Sequence, residues 1–113
     1  MVNFRTMTFL IRKVGRLSKQ LEAKQTRNDT ETMEIYSYMV DDLVRMQEEL
    51  RLMMETLDNP EERMIINLRY LKGHGYAWIA NHMNVDVRTV FLYLKAARMA
   101  LIERFPDRVE MGY

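Results

Sequence analysis

The sequence predicts an all-α protein: a long, coiled-coil-like N-terminal helical hairpin followed by a three-helix unit. Three observations carry that expectation. Only four glycines and two prolines punctuate 113 residues, so long helices are expected. Tyr36, Met39, Leu43, Met46, Leu50, Met53 and Leu57 alternate spacings of three and four, an unbroken heptad seam. The stretch GYAWIANHMNVDVRTVFLYLKAA, residues 75–97, sets two helical patterns on either side of a three-residue turn.

In the first helix, apolar residues recur from Phe4 at Met7, Ile11, Val14 and Leu21, with Leu10 and Leu17 alongside. The face decays into polar sequence from Lys24 to Asn28, and Asn28 with Glu31 three residues on has the form of a capping box. Val40 and Met54 widen the second helix's seam into a stripe able to meet more than one partner. The polar break is short, so an antiparallel hairpin is expected. Most of the eleven methionines fall at seam positions, which reads as adaptable packing and not as a soft-metal site. Two such stripes cannot cover each other completely. The hairpin therefore packs on the third segment, on a second copy of the chain, or on both, and a homodimer is expected.

DNPEERMIINLRYLKGHG marks the clearest boundary. Asn59 is a good N-cap, Pro60 suits the first helical position, and Glu62 completes a capping box. Met64, Ile65, Leu68 and Leu71 form the inner face of this third helix, and Gly73 and Gly75 stop it. A fourth helix runs from about Tyr76 to Met83 with Ile79 and Met83 inward, and Ala80 sits where a neighbouring helix crosses closely. Asn84 then takes the left-handed conformation that glycine and asparagine tolerate best. Val85 plugs the corner and Asp86 caps the fifth helix, spanning 86–104. Val90, Tyr93 or Leu94, Ala97 and Leu101 lie on its buried side, and Pro106 ends it. A small residue, a left-handed residue four later and a β-branched residue six after that meet the steric requirement of a helix-turn-helix. The domains are thus 1–58, a hairpin for dimerisation or interaction; 59–105, the helix-turn-helix; and 106–113, a tail.

The net charge of +1 conceals a pattern: residues 1–31 sum to +4, 32–59 to −5, 60–105 to +3 and the tail to −1. The basic first segment and acidic second segment are expected to attract each other, leaving the third for an anionic partner. The absence of cysteine excludes a disulfide scaffold and thiolate metal sites and suits a reducing, cytoplasmic setting. Apolar runs such as Met7 to Ile11 fall far below the roughly 18 residues of a membrane span, so no membrane partner is expected. Arg12, Lys13 and Arg16 follow that run at once, unlike a secretory leader. His74 and His82, the only histidines, have no carboxylate or cysteine constellation, and no Ser/His/Asp grouping or glycine-rich phosphate loop occurs. Neither an enzyme, a metal nor a cofactor is expected.

PEERMIINLRYLKG before the turn, WIA in the fourth helix and TVFLYLKAARMAL in the fifth resemble the promoter-reading region 4 of bacterial sigma factors. With the preceding helical pair, and with Leu68, Arg69 and Tyr70 as an L-R-Y pattern, nearly the whole chain resembles the RinA and ArpU-like transcriptional regulators of phages and prophages of Gram-positive bacteria. The resemblance implies sequence-specific binding of double-stranded DNA and control of phage late or packaging genes, and the hairpin is then expected to handle either self-association or contact with the transcription machinery, RNA polymerase. Two positions depart from it. Ala77 and Trp78 stand where acidic or polar residues are usual, and Phe91 and Leu92 where polar readers are usual.

The start of a recognition helix meets base edges, which nominates Val87, Arg88, Thr89, Phe91 and Leu92, with Lys95 one turn on for a phosphate. Arg88 is the foremost candidate for a bidentate guanine contact. Lys72, His74 and the start of the fourth helix lie where a phosphate meets free N–H groups. Arg98 either serves a phosphate or faces solvent, since Glu103 is poorly placed to pair with it. Phe91 and Leu92 suit thymine methyls or a protein partner equally. Two alternatives stand beside the regulator: a small terminase-like packaging protein, and an interaction adaptor whose helix-turn-helix does not bind DNA.

Overall fold

The computed structural model describes residues 1–23 and 30–111. Five helices form among them: α1 (Phe4–Ala23), α2 (Thr30–Met54), α3 (Pro60–Ile66), α4 (Tyr76–Met83) and α5 (Val87–Arg104). The all-α architecture of hairpin plus three-helix unit is observed. The capping signature at Asn28 and the polar break at 24–28 lie outside the described residues.

α1 and α2 pack as the hairpin. The base of α1 lies against the later turns of α2, where the Met1 nitrogen stands 3.3 Å from Glu49 Oε2, while the 24–29 connection joins the opposite ends. On α1 the buried residues are Phe4, Met7, Leu10 and Leu17, with Ile11 and Val14 partly covered. The inner stripe is thus rotated toward the residues placed alongside the expected seam, because α1 also faces the segment after α3. On α2, Leu43, Met46, Leu50 and Met53 are buried on the expected seam, as is Leu57 beyond the end of the helix, while Tyr36 and Met39 are only half covered. Leu50 and Met53 belong to one continuous core with Ile65, Ile66, Ile79, Val90, Leu94, Ala97 and Leu101. The hairpin therefore does pack on the third segment.

The expected attraction between the basic first helix and the acidic second is not made by ion pairs of the mid-helix cations. Among the described residues, Arg12, Lys13, Arg16 and Lys19 have no carboxylate partner, and the α2 acids Asp42 and Glu48 pair within α2 with Arg45 and Arg51. Apolar burial holds the hairpin, and Arg12, Arg16 and Lys19 are exposed.

Asn59 caps α3: its side-chain oxygen accepts from the amides of Glu61 (2.9 Å) and Glu62 (3.3 Å), and Pro60 occupies the first turn. Ile65 and Ile66 are buried, whereas Met64 points outward. The helix then widens into a π-helical turn, Asn67–Leu71, closed by a 2.9 Å bond from the Lys72 amide to the Asn67 carbonyl. This widening buries three successive residues, Leu68, Arg69 and Tyr70, where an amphipathic α-helix would expose at least one. The turn is hemmed by α1, α2 and α4 at once. Gly73 follows at φ 75°, where a Cβ would meet the Ile11 side chain at 3.4 Å. The left-handed backbone demands glycine there.

The stretch assigned to a tail returns to the start of the chain. Val109–Glu110 (β2) pairs in parallel with Val2–Asn3 (β1), Val2 opposite Val109, and both valines are buried. The Val2 amide donates to the Arg108 carbonyl at 2.8 Å and Asn3 Nδ2 to Glu110 Oε1 at 3.0 Å. Two-residue strands have no periodicity to read in a sequence.

Candidate nucleic-acid interface

The corner between α4 and α5 is built locally. Asn84 adopts φ 57°, ψ 46°, alone among the described non-glycine residues in having positive φ. The Val85 amide reaches back to the Ala80 carbonyl (3.0 Å) and the Asn84 amide to that of Asn81 (3.3 Å), the paired bonds of a Schellman cap. Asp86 then caps α5, its Oδ1 accepting from the Thr89 amide (2.9 Å) and hydroxyl (3.1 Å). Ala80 is buried at the crossing, where a longer side chain would part the two helices.

With Val90, Leu94, Ala97 and Leu101 fully buried, α5 presents the rest of its circumference to solvent. Arg88, Leu92, Lys95 and Met99 recur there at spacings of four, three and four, and all are exposed. Arg88 and Lys95 have no partner among the described residues, so the start of the helix carries two free cations. Val87 and Phe91 form a second exposed column nearer α4, and the Phe91 ring lies 4.5 Å from that of Tyr76. Leu92 is the most exposed of this apolar group, at 61%. Thr89 is half-buried and its hydroxyl already bonds Asp86, which makes it part of the cap.

His74 and Lys72 diverge. The His74 ring stacks on Trp78, centroids 3.4 Å apart, and Trp78 stacks in turn on His82 at 4.9 Å. The indole, 45% exposed, therefore lies in an aromatic column along the outer face of α4. Lys72 instead borders a groove against α2, beside Gln47, Glu48 and Arg51.

Two arginines outside the nominated set brace this surface from beneath. Arg69, nine-tenths buried, donates to the His74 carbonyl (3.0 Å) and holds its guanidinium 4.5 Å over the Tyr76 ring, a cation–π contact. Its Nε finds no partner. Tyr76 in turn meets Phe91, so Arg69 links the loop before α4 to the exposed column of α5. Arg98, expected to face a phosphate or solvent, donates to the Tyr70 hydroxyl at 3.1 Å. Burial pushes the Tyr70 phenol above its ordinary value, against the opposing bond and charge of Arg98. Tyr70 stays neutral and accepts, with its ring against Phe4 (4.9 Å). The L-R-Y tripeptide is thus a brace: Leu68 in the core, Arg69 to the loop, Tyr70 to α1 and α5. Charge in the sequence revealed these arginines, but nothing local revealed that they point inward.

Three helices about a left-handed asparagine corner, the last of them exposing free cations, define a helix-turn-helix unit. Residues 47–101 match the family model for sigma-70, region 4, so this unit is a sigma-like helix-turn-helix. The match begins inside α2 and runs to Leu101. No curated protein and no solved structure matches the chain significantly. No helix among the described residues is long and apolar enough to cross a membrane.

Proposed function

We propose that this protein is a cytoplasmic, sequence-specific transcription regulator of the phage and prophage type that binds double-stranded DNA as a homodimer. α5 enters the major groove and the hairpin serves self-association or contact with RNA polymerase. The observation that carries the reading is the pair of free cations, Arg88 and Lys95, on the solvent face of a helix that follows a Schellman-capped corner, within the stretch matching sigma-70 region 4. Arg88 near the start of α5 is positioned for guanine and Lys95 for a phosphate. The test is selection from a random duplex pool with the native protein and with Arg88→Ala/Lys95→Ala. Enrichment of one motif by the native chain, absent with the variant, is expected; no enrichment at low salt would sink the reading. A two-fold symmetric motif would support the dimer.

A second reading has its own observation. Val87, Phe91 and Leu92 expose a contiguous apolar column that also suits a protein partner. Under that reading, association survives high salt, whereas phosphate contacts weaken steeply with it.

A further inference from the structure

A groove of about 320 Å³ runs between α1 and the loop before α4, lined by Arg12, Gly15, Arg16, Lys19, Arg69 and Gly75 among others. We propose that it holds a phosphate of the DNA backbone, so that the hairpin takes part in DNA binding together with α5. The inference rests on the DNA-binding reading and adds to it a contact made by α1.

Four features converge on an anion. Arg12, Arg16 and Lys19 follow one another at spacings of four and three, which sets them along one face of α1. All three are exposed and none has a carboxylate partner among the described residues. Opposite them, α4 starts at Gly75 with no side-chain cap, leaving its first-turn amides and the positive end of its dipole open. Arg69 completes the lining: nine-tenths buried, it bonds the His74 carbonyl through Nη1, yet its Nε has no partner. A buried cation that has no carboxylate partner among the described residues, held only by a carbonyl and a ring, shares this wall with three exposed ones, and a phosphate would supply the missing negative charge. Gly15 fits the same account. Glycine weakens a helix interior, and a Cβ added here would stand in open space clear of the other elements, so the backbone is accessible from the groove.

A duplex is favoured over a free phosphate compound because the groove adjoins the loop that leads into α4. Tyr76, the first residue of that helix, touches both Arg69 and the α5 residue Phe91. One strand can therefore pass from α5 over the start of α4 to α1.

The test measures duplex affinity of the full chain between about 50 and about 200 mM salt. Four proteins are compared: native, Arg12→Gln/Arg16→Gln/Lys19→Gln, Arg12→Lys/Arg16→Lys, and an α2 control, Arg45→Gln/Arg51→Gln. The groove variant should give a log–log salt slope shallower by about 1, since each phosphate contact contributes about 0.9. Its sequence preference should be retained, and the control slope should not change. Arg12→Lys/Arg16→Lys, which keeps the charge, should keep the slope and separates lost contacts from lost folding. A native slope in the groove variant overturns the inference and leaves the DNA-binding reading standing. Equal flattening in the α2 control overturns it too, as a general charge effect. Loss of inorganic phosphate binding with an unchanged duplex slope would make the groove a site for a free phosphate compound and overturn it likewise. A native chain that binds no duplex sinks both readings together.

Discussion

The two ends of α2 carry the same heptad spacing and meet different surroundings. Toward its C-terminus Leu43, Met46, Leu50 and Met53 are buried, against β1, the π-helical turn and α1. Toward its N-terminus Tyr36 and Met39 are half exposed, and Met33, Ile35 and Tyr38 lie largely in solvent. A seam period of 3.5 decides that a helix forms and which face can be covered. What covers it depends on the neighbours at that level of the molecule, and beyond the π turn α1 is the neighbour among the described residues. The Cα radius of gyration, 15.5 Å, exceeds the roughly 13 Å of a compact domain this long, as a hairpin projecting past the shared core requires.

The largest expected effect tests that contrast directly. Leu50→Ala should cost about 2–5 kcal/mol in a denaturant melt, as deletion of a fully buried leucine does, while Ile35→Ala should stay within about 0.5 kcal/mol. A comparable loss at Ile35 that grows with protein concentration would show that a second copy covers the distal half. Next comes the close crossing of α4 and α5. Ala80→Leu should destabilise by about 1–3 kcal/mol, and calorimetry reads it. A neutral result would mean that the two helices can part freely.

A smaller effect belongs to the corner. Asn84→Ala should cost about 1–2 kcal/mol for a left-handed backbone, and Asn84→Gly little or nothing. Equal costs for both would assign a role to the asparagine side chain. The smallest effect is in alkali. Because burial raises the Tyr70 phenol in the folded state, the unfolded chain loses that proton first as pH climbs past about 10. Stability should then fall with rising pH above that point and be unaffected by this group below it. Tyr70→Phe should remove that part of the slope in pH-dependent melts.

How much of this was legible depends on how far apart the deciding residues lie. The asparagine corner, the Asp86 and Asn59 caps and the buried face of α5 are set within a few residues, and the sequence announces each. The placement of Met64 outside and Ile66 inside was not legible, because the π-helical turn shifts the face by an amount no α-helical period contains. Nor was the inward turn of Arg69 and Arg98, whose partners include Tyr70, 28 residues before Arg98. The cations of α1 followed the same rule: their spacing is visible, but only the fold shows that Asp42, Glu48 and Glu49 of α2 are paired with other groups. For the candidate site, exposure at Arg88, Leu92 and Lys95 follows from the period that buries Val90 and Leu94. The separation of Lys72 from His74 needed three dimensions.

The pairing of Val2 with Val109 makes the polypeptide nearly a closed ring. Residues 2–3 and 109–110 lie side by side, so a short linker between those strands could join them and new ends could be cut in an exposed loop, a rearrangement such geometry tolerates. It also sets an order of events. A contact spanning 107 residues is entropically the costliest closure in the chain, so the helices can assemble early and the ring be fastened last. When the molecule begins to come apart, the same clasp would open first.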